Sequence, residues 1–165
     1  MLHKMLHIRN ATLKDINGIL DVQSDVYDPA FIEKPSTFED IIIYNRSFIA
    51  EIDGDVIGYL LVHPWGDITS PPALHTHSPN AFTTPAKVWF IHDLCVLSEY
   101  HHQGIGTLLI EALKSEHREP SIATLVAVND TSVFWKKHGF KVFSCDKAIL
   151  DTYNDQHAVY MIGKI

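Results

Sequence analysis

The sequence is poor in cysteine and in basic residues, and it contains no long apolar run. Its two cysteines, Cys95 and Cys145, lie far apart inside apolar stretches, which fits buried thiols better than a disulfide framework. No apolar run reaches the roughly 18 residues that a membrane span needs, and residues 1–9 lack the apolar core of a secretion signal. We therefore expect a cytoplasmic protein without a membrane partner, folded as a single domain over residues 1–165.

Basic residues number 13 against 20 acidic ones, which gives a formal net charge of −7. A nucleic-acid surface needs clustered Lys and Arg, so nucleic acid is not an expected partner, whereas a cationic small substrate suits this balance. The 11 histidines include the pairs His75/His77 and His101/His102, but no HExxH or CxxC pattern completes a ligand set. We expect no metal, and a histidine-rich metal-binding module is kept as an alternative.

Apolar periodicity and turn residues predict alternating helices and strands. The first part of the chain is predicted to contain a strand at 7–10, a helix opening at Thr12 and Asp15, a helix from Ser36 to Asn45 with Glu39 closing its capping box, and strands at 47–52 and 56–62. A loop is predicted at 64–86. The remainder is predicted to contain a strand at 87–97, a helix at 104–117, a strand at 121–128, a helix at 131–138, and strands at 140–145 and 157–165. The turn Asp53-Gly54-Asp55 predicts a hairpin, because Asp-Gly accepts the positive φ that such turns require. The strands at 87–97 and 121–128 flank one helix and should be parallel neighbours. The order indicates an α/β chain with a mixed sheet.

A glycine-containing loop lies between the strand at 87–97 and its helix. In His101-His102-Gln103-Gly104-Ile105-Gly106-Thr107, the two glycines keep side chains away from a place where backbone amides meet the positive end of a helix dipole. A pyrophosphate can approach such amides, and Thr107 adds a hydroxyl. A tight strand-to-helix turn has the same local pattern, so the loop alone leaves both interpretations open.

The neighbouring segments add a family resemblance. The loop resembles the acetyl-CoA signature Arg/Gln-x-x-Gly-x-Gly/Ala of the GNAT acetyltransferases, the segment 93–97 before it resembles that family's fourth strand, and the segment 129–140 resembles its later motif. The element order matches over essentially the whole chain. The resemblance implies the GNAT fold, with a mixed central sheet of about six to seven strands flanked by about four helices. It also implies acetyl-CoA as cosubstrate.

The resemblance implies a set of residues around the cosubstrate, including backbone groups of the fourth strand, the glycine loop and the later motif. These residues are Leu94, Cys95, Val96, His101, Gln103, Gly104, Ile105, Gly106, Thr107, Asn129, Phe134, Trp135 and Lys137. Three departures from the family pattern stand out. His101 occupies the usual Arg or Gln position, Asn129 precedes Trp135 by six residues instead of seven, and Trp135 replaces a tyrosine that protonates the departing thiolate in many members. An indole N–H cannot serve as that acid.

Acyl transfer to an amine needs a base for the amine and an acid for the thiolate. His92 is the predicted base, because imidazole titrates near neutrality and this one interrupts a buried strand; a hydrogen-bonded core histidine is the alternative. In the arylalkylamine acetyltransferases, which this segment resembles, a histidine at a similar strand position removes the proton. Asp93, predicted to face the other side of the strand, is a second candidate catalytic residue that would orient another group or bind a cationic substrate. A structural hydrogen bond is the alternative. Tyr153 supplies a phenol if its segment folds over the site, and is otherwise an exposed loop residue.

The acceptor is expected near the end of the first helix, where the family often builds its acceptor pocket. Tyr27, Phe31 and Glu33 are the substrate-binding residues that this implies, with packing between helices as the alternative. The predicted function is an N-acetyltransferase that moves an acetyl group from acetyl-CoA to a primary amine of a small molecule or peptide, by direct attack in a ternary complex. The alternative is an acyl-CoA-binding domain with little or no catalysis. The acceptor, the acyl length and the choice between monomer and homodimer stay open.

Overall fold

A computed structural model of the protein describes residues 4–74, 88–116 and 120–165. Within these residues, seven strands form one mixed sheet in the order β1-β2-β3-β4-β5-β7-β6. The strands are β1 (Leu6–Asn10), β2 (Phe48–Ile52), β3 (Asp55–Trp65), β4 (Val88–Val96), β5 (Ile122–Ala127), β6 (Lys141–Val142) and β7 (Val159–Lys164). The helices are α1 (Ile16–Val26), α2 (Pro35–Ile42), α3 (Ile105–Glu116), α4 (Ser132–Lys137) and α5 (Lys147–Asp151). The predicted α/β class and mixed sheet are confirmed.

The chain folds into two compact units. The first unit contains the residues up to Val62 and those from Asp93 to Glu116, and the second contains the other described residues. In the first unit, β1 pairs antiparallel with β2, and β2 pairs antiparallel with β3 through the predicted hairpin. Asp53 and Gly54 of its turn have φ values of +53° and +89°. α3 packs on β1 and β2, and α1 packs on α2.

Both early helices form, but only one begins where predicted. Asp15 accepts a hydrogen bond from the Thr12 backbone N–H at 2.7 Å, so the predicted capping box opens the helical segment through a short 3₁₀ turn. The second prediction is wrong in its start, because α2 begins at Pro35 and Ser36 lies inside it. Proline suits the first helical position, since its φ is already helical and its missing N–H would have no partner there.

In the second unit, β5 pairs antiparallel with β7 from Ile122↔Lys164 to Ala127↔Val159. β4 pairs parallel with β5 from Trp89↔Ala123 to Ile91↔Leu125, as predicted.

The end of the chain differs from its prediction in two places. The strand predicted at 140–145 is wrong in its length, because β6 has only two residues. Phe140, just before it, is buried and packs on the backbone of Gly163, where a Cβ would come within 2.8 Å of the ring. The polar segment after it contains the unpredicted helix α5. Asp146 caps that helix by accepting from the Ala148 N–H at 2.9 Å.

β3 runs three residues beyond its predicted end and includes Pro64. Its pairing with β2 ends at Leu60, so the missing N–H of Pro64 removes no bond from that ladder. The predicted loop therefore begins after Trp65, whose Nε1–H donates to the Ser70 carbonyl at 2.7 Å. Residues 75–86 of that loop, with His75 and His77, lie outside the described residues. Among the helices of the described segments, none is long and apolar enough to cross a bilayer.

Candidate active site

The glycine loop between β4 and α3 lies entirely in the first unit. A 3₁₀ turn, Ser98–Tyr100, leaves β4, and α3 begins at Ile105. Gly104 has a φ of +80°, and a Cβ built there would meet no described atom within 4 Å. The first N–H groups of an α-helix have no acceptor within the helix and lie at its positive end. The loop therefore combines open space, a backbone that only glycine adopts easily, and amide donors suited to an anion.

Two side chains of the loop point their polar atoms back to backbone carbonyls. His101 Nε2 lies 2.6 Å from the Val96 carbonyl oxygen, so this nitrogen carries the hydrogen and donates. Gln103 Nε2 donates to the Glu99 carbonyl at 3.2 Å. His101, at the position where the family usually has Arg or Gln, thus joins the loop to the end of β4.

A carboxylate at the end of α1 also holds this loop. Asp25 Oδ2 accepts from both the backbone N–H (3.0 Å) and the hydroxyl (2.9 Å) of Ser98. These two hydrogen bonds hold the pKa of Asp25 below its usual value. The 3₁₀ turn that leads into the glycine loop is therefore hydrogen-bonded to α1.

The last residues of β4 are held to β3 in the first unit. The Leu97 N–H donates to the Ile57 carbonyl at 2.8 Å, and a Cβ on Gly58 would lie 3.2 Å from the Cys95 carbonyl oxygen. The parallel pairing with β5 covers only residues 89–91 of β4. Leu94 and Val96, whose backbone groups the family resemblance assigns to the pantetheine arm, lie beyond that ladder.

Asp93 accepts hydrogen bonds from two tyrosines of the first unit. The Tyr27 hydroxyl donates to its Oδ1 at 2.7 Å, and the Tyr59 hydroxyl donates to its Oδ2 at 2.5 Å. The negative charge of Asp93 and burial raise the pKa of Tyr27, and burial with the same charge raises the pKa of Tyr59. Both phenols are therefore protonated donors at neutral pH.

The thiol of Cys95 belongs to the same environment. It is 4% exposed, and burial together with the charge of Asp93 raises the pKa of the thiol. A thiol that stays protonated at neutral pH is a poor nucleophile. Its environment suits a packed strand residue, in agreement with a reaction that does not acylate the enzyme.

The other two residues assigned to the acceptor lie in the segment after α1. Glu33 is joined to the fully buried Gln23 of α1 by two hydrogen bonds: its N–H donates to Gln23 Oε1 at 2.9 Å, and Gln23 Nε2 donates to its carboxylate at 3.3 Å. Phe31 ends a 3₁₀ turn and is half-buried. Tyr27, Phe31, Glu33 and Asp93 are thus all residues of one unit.

His92 belongs to the second unit, where a second histidine lies beside it. The ring centroids of His92 and His63 are 6.2 Å apart. His63 is 2% exposed, and its Nδ1 lies 2.8 Å from the Pro64 carbonyl oxygen. Because a carbonyl only accepts, Nδ1 of His63 carries a hydrogen and donates it. The predicted base therefore has a second imidazole beside it, oriented by a hydrogen bond to the backbone.

The later motif also lies in the second unit. Asn129 has a φ of +53°, and its N–H donates to Asp155 Oδ2 at 2.7 Å. Trp135 is only 6% exposed, because its ring packs edge-on against Phe134 and Phe140 at centroid distances of 5.3 and 5.4 Å. Lys137 is exposed at the end of α4.

Tyr153 follows α5 and is half-buried. Its hydroxyl donates to the Pro72 carbonyl at 2.7 Å. The neighbouring Thr152 hydroxyl accepts from the Leu74 N–H at 3.0 Å. The segment after α5 is thus bonded to the chain that follows β3, and the Tyr153 hydroxyl has an acceptor there.

The sequence model of the acetyltransferase (GNAT) family matches residues 16–140, which include the glycine loop, β4 and α4. The chain belongs to this family. It is therefore an enzyme of the acyltransferase class.

Similar proteins support this acetyltransferase assignment. The chain is 26% identical over 174 residues to an N-alpha-acetyltransferase of Sulfurisphaera tokodaii, covering 97% of this chain and 93% of that protein. Its fold is similar to the loading GNATL domain of CurA from Lyngbya majuscula (TM-score 0.78, 12% identity, 96% of each chain). It is also similar to Arabidopsis thaliana Naa50 in complex with the bisubstrate analogue CoA-Ac-MVNAL (TM-score 0.67, 15% identity, 97% of this chain and 98% of that chain). At these identities the two structures show a shared fold.

The glycine loop of the acetyltransferase fits the cosubstrate that the family uses. The open space beside Gly104 is where a pyrophosphate would reach the backbone amides. Among the described residues, no group of three or more Cys, His, Asp or Glu side chains could hold a metal ion. Tyr59 and Asp25 were not predicted from the sequence, because their partners, Asp93 and Ser98, lie 34 and 73 residues away along the chain.

Proposed function

We propose that the enzyme transfers an acetyl group from acetyl-CoA to a primary amine by direct attack in a ternary complex. The observation that carries the proposal is the loop at the start of α3, where Gly104 leaves the backbone amides open to a pyrophosphate in a chain of this family. The relative from Sulfurisphaera tokodaii is named for acetylation of an α-amino group, and the Naa50 complex contains a coenzyme A–peptide conjugate. Both favour an amino group as acceptor.

The cosubstrate would be held mainly by backbone groups. Residues 103–107 would bind the pyrophosphate, Leu94 and Val96 would pair with the pantetheine arm, and Asn129 would contact its amides. Bound acetyl-CoA supplies the activated thioester. Because His101 and Gln103 are bonded to backbone carbonyls of the loop, we expect their substitution to weaken cosubstrate binding by loosening the loop.

His92 would take the proton from the attacking amine. The support for this role is positional: His92 lies on β4 one residue before the segment 93–97 that resembles the family's fourth strand, and the ring of His63 lies beside it at a centroid distance of 6.2 Å.

Protonation of the thiolate is assigned to Tyr153, because Trp135 lacks an acidic hydroxyl and is buried against two rings. The Tyr153 hydroxyl donates to the Pro72 carbonyl, so it has to exchange that acceptor for the sulfur during the reaction.

An acyl-CoA-binding domain with little catalysis is the second candidate function. The engagement of the tyrosine hydroxyls favours it, since those of Tyr27 and Tyr59 donate to Asp93 and that of Tyr160 donates to the Ile68 carbonyl at 2.7 Å. The Tyr153 hydroxyl also donates a hydrogen bond, so each of these four tyrosines would have to give up its acceptor before it could protonate the thiolate. Coenzyme A binding without turnover on a broad amine panel would establish this candidate.

The deciding experiment measures release of free coenzyme A from acetyl-CoA across alkylamines, arylalkylamines and peptides with a free amino terminus. We expect turnover by the parent and a fall of about 100-fold in kcat/KM for His92→Ala, the usual contribution of a general base. The exposed His157 provides the control, since His157→Ala should leave turnover unchanged. Intact acetyl-CoA binding by calorimetry must accompany the loss.

If the kcat/KM of His92→Ala stays within about threefold of the parent value, His92 is not the base, since a general base contributes far more.

The cytoplasmic location, the single-domain organisation and the absence of nucleic-acid or membrane partners stay predictions.

A further inference from the structure

Residues 27–33 follow α1 and form the acceptor segment. Its backbone is protected by hydrogen bonds of its own: the Ala30 N–H donates to the Asp28 carboxylate at 2.9 Å, and the Phe31 N–H donates to the Asp28 carbonyl at 2.9 Å. Its far end is bonded to Gln23 through Glu33. Its near end, Tyr27, leaves helical geometry with φ −101° and ψ 149°.

One hydrogen bond joins the near end of this segment to β4. It is the 2.7 Å contact between the Tyr27 hydroxyl and Asp93 Oδ1, across 66 residues of sequence. Asp93 is itself oriented by the Tyr59 hydroxyl on its other oxygen, and Tyr59 is fully buried in β3. A carboxylate with a donor on each oxygen has little freedom to rotate, so it offers Tyr27 an acceptor of fixed direction.

We infer that Asp93 is a positioning residue for acceptor binding: through Tyr27, it holds the acceptor segment against the strand that binds the cosubstrate. The inference rests on the proposed function, which makes residues 27–33 the acceptor site and β4 the cosubstrate strand. It gives Asp93 the orienting role that the sequence left open for it, because each of its carboxylate oxygens accepts from a phenol.

The positioning role explains why a polar residue, Asp93, makes the contact between the acceptor segment and the largely apolar strand β4. An aliphatic contact would bury the same area but would let the segment slide along β4, whereas a charge-assisted hydrogen bond fixes distance and direction together. Removing the Tyr27 hydroxyl therefore removes the hydrogen bond that holds the segment to Asp93, while the ring of residue 27 stays in place.

Two readouts test the inference. The first is hydrogen–deuterium exchange of the amides of residues 30–33, which needs neither cosubstrate nor acceptor. The second is steady-state kinetics with the best acceptor of the amine panel. We expect Tyr27→Phe and Asp93→Asn to speed exchange in this segment and to raise the KM for the amine about tenfold, the loss of one hydrogen bond to a charged group. The Kd for acetyl-CoA and kcat should change less than about twofold, because the bond acts on acceptor binding alone.

Matched controls separate positioning from general destabilisation. Tyr160→Phe removes a hydroxyl hydrogen bond of the same 2.7 Å length, from a buried tyrosine to the Ile68 carbonyl in the second unit. It should lower stability without changing exchange in residues 30–33 or the amine KM. Asp21→Asn removes one charge from the exposed face of α1 and should change neither readout. In the double variant Tyr27→Phe/Asp93→Asn, the KM should match that of Tyr27→Phe, since without the Tyr27 hydroxyl the side chain at position 93 has no bond to this segment left to lose.

Each outcome decides the inference. Unchanged exchange in residues 30–33 of both variants would overturn it, and so would a fall in kcat with an unchanged amine KM, which would make Asp93 catalytic. If Asp93→Asn does not fold, Tyr27→Phe alone decides. If the parent turns over no amine, the proposed function fails, and the exchange measurement alone decides whether Asp93 holds the segment.

Discussion

Two carboxylates of the first unit, the buried Asp15 and the half-buried Asp93, show how differently a negative charge is held. Asp15 receives a two-pronged hydrogen bond from the Arg9 guanidinium, at 2.9 and 2.8 Å, and Arg9 also contacts Glu51 at 3.0 Å. Asp93 receives its hydrogen bonds from two neutral phenols. In the first case the donor brings a compensating charge, and in the second it does not.

The consequences appear in the neighbouring groups. Burial raises the pKa of Asp15, but the hydrogen bonds from Arg9 and Thr12 outweigh it and lower the pKa overall. Around Asp93 the shifts appear in its neighbours instead: burial and the negative charge of Asp93 together raise the pKa values of Tyr27, Tyr59 and Cys95. An internally balanced ion pair serves stability, whereas a carboxylate bonded to neutral donors keeps an electrostatic influence on the site.

The largest expected effect comes from removing the balanced charge. Asp15→Ala should lower the free energy of unfolding by about 3 kcal/mol, because it leaves Arg9 partly buried without its main partner and removes the cap on Thr12. Urea unfolding measures this. The kcat at a temperature well below the transition should stay unchanged. A loss under about 1 kcal/mol would show that solvent, rather than Arg9, satisfies Asp15.

The phenol-bonded carboxylate should be less costly to disturb. Tyr59→Phe should lower the free energy of unfolding by about 2 kcal/mol, the contribution of one hydrogen bond to a charged group. The comparison with Tyr160→Phe, which removes a bond to a neutral carbonyl and should cost about 1 kcal/mol, isolates the effect of charge. Equal losses in the two variants would contradict the distinction drawn between Asp93 and a neutral acceptor.

Acid should weaken the Asp15 contact in a predictable direction. Its pKa is lower in the folded protein than in the unfolded chain, so the unfolded state binds more protons as the pH falls below about 4. Stability is then lost with a slope of at most about 1.4 kcal/mol per pH unit for this group. Urea unfolding between pH 5 and pH 2, as test conditions, should give a shallower slope for Asp15→Asn than for the parent. Identical slopes would assign acid sensitivity to other carboxylates.

The smallest effect is expected at an exposed ion pair. Lys147 and Asp151 lie 2.8 Å apart on α5, with side chains 86% and 59% exposed. Lys147→Ala should change the free energy of unfolding by less than about 0.5 kcal/mol, because solvent screens such pairs. A loss comparable to that of Asp15→Ala would mean that partner charge, rather than burial, decides the strength of a contact in this protein.

Much of the fold could be predicted because its signals are local. The hairpin turn at Asp53 and Gly54, the cap at Thr12 and the helix end at Gly139, with a φ of +89°, each depend on residues within one turn of each other. Predictions were wrong where a distant contact decided the outcome. Phe140 packs on Gly163, which lies 23 residues away, and β3 tolerates Pro64 because its pairing with β2 ends at Leu60.

The site divides in the same way. The geometry of the glycine loop was predictable, since Gly104, with its positive φ, and the start of α3 are adjacent in sequence. The bonding of Asp93 was not, because its donors Tyr27 and Tyr59 lie 66 and 34 residues away.

By itself the sequence determined the family, the strand-loop-helix that suits a coenzyme A phosphate, and the candidate residues, because these are encoded in short segments with characteristic spacing. Only the tertiary structure decided what those candidates touch. It tied the Tyr153 hydroxyl to Pro72, packed Trp135 between two rings, and oriented Asp93 with two phenols. The physical reason is that a hydrogen bond depends on the position and direction of both partners, and for residues far apart in sequence these are set only when the chain packs.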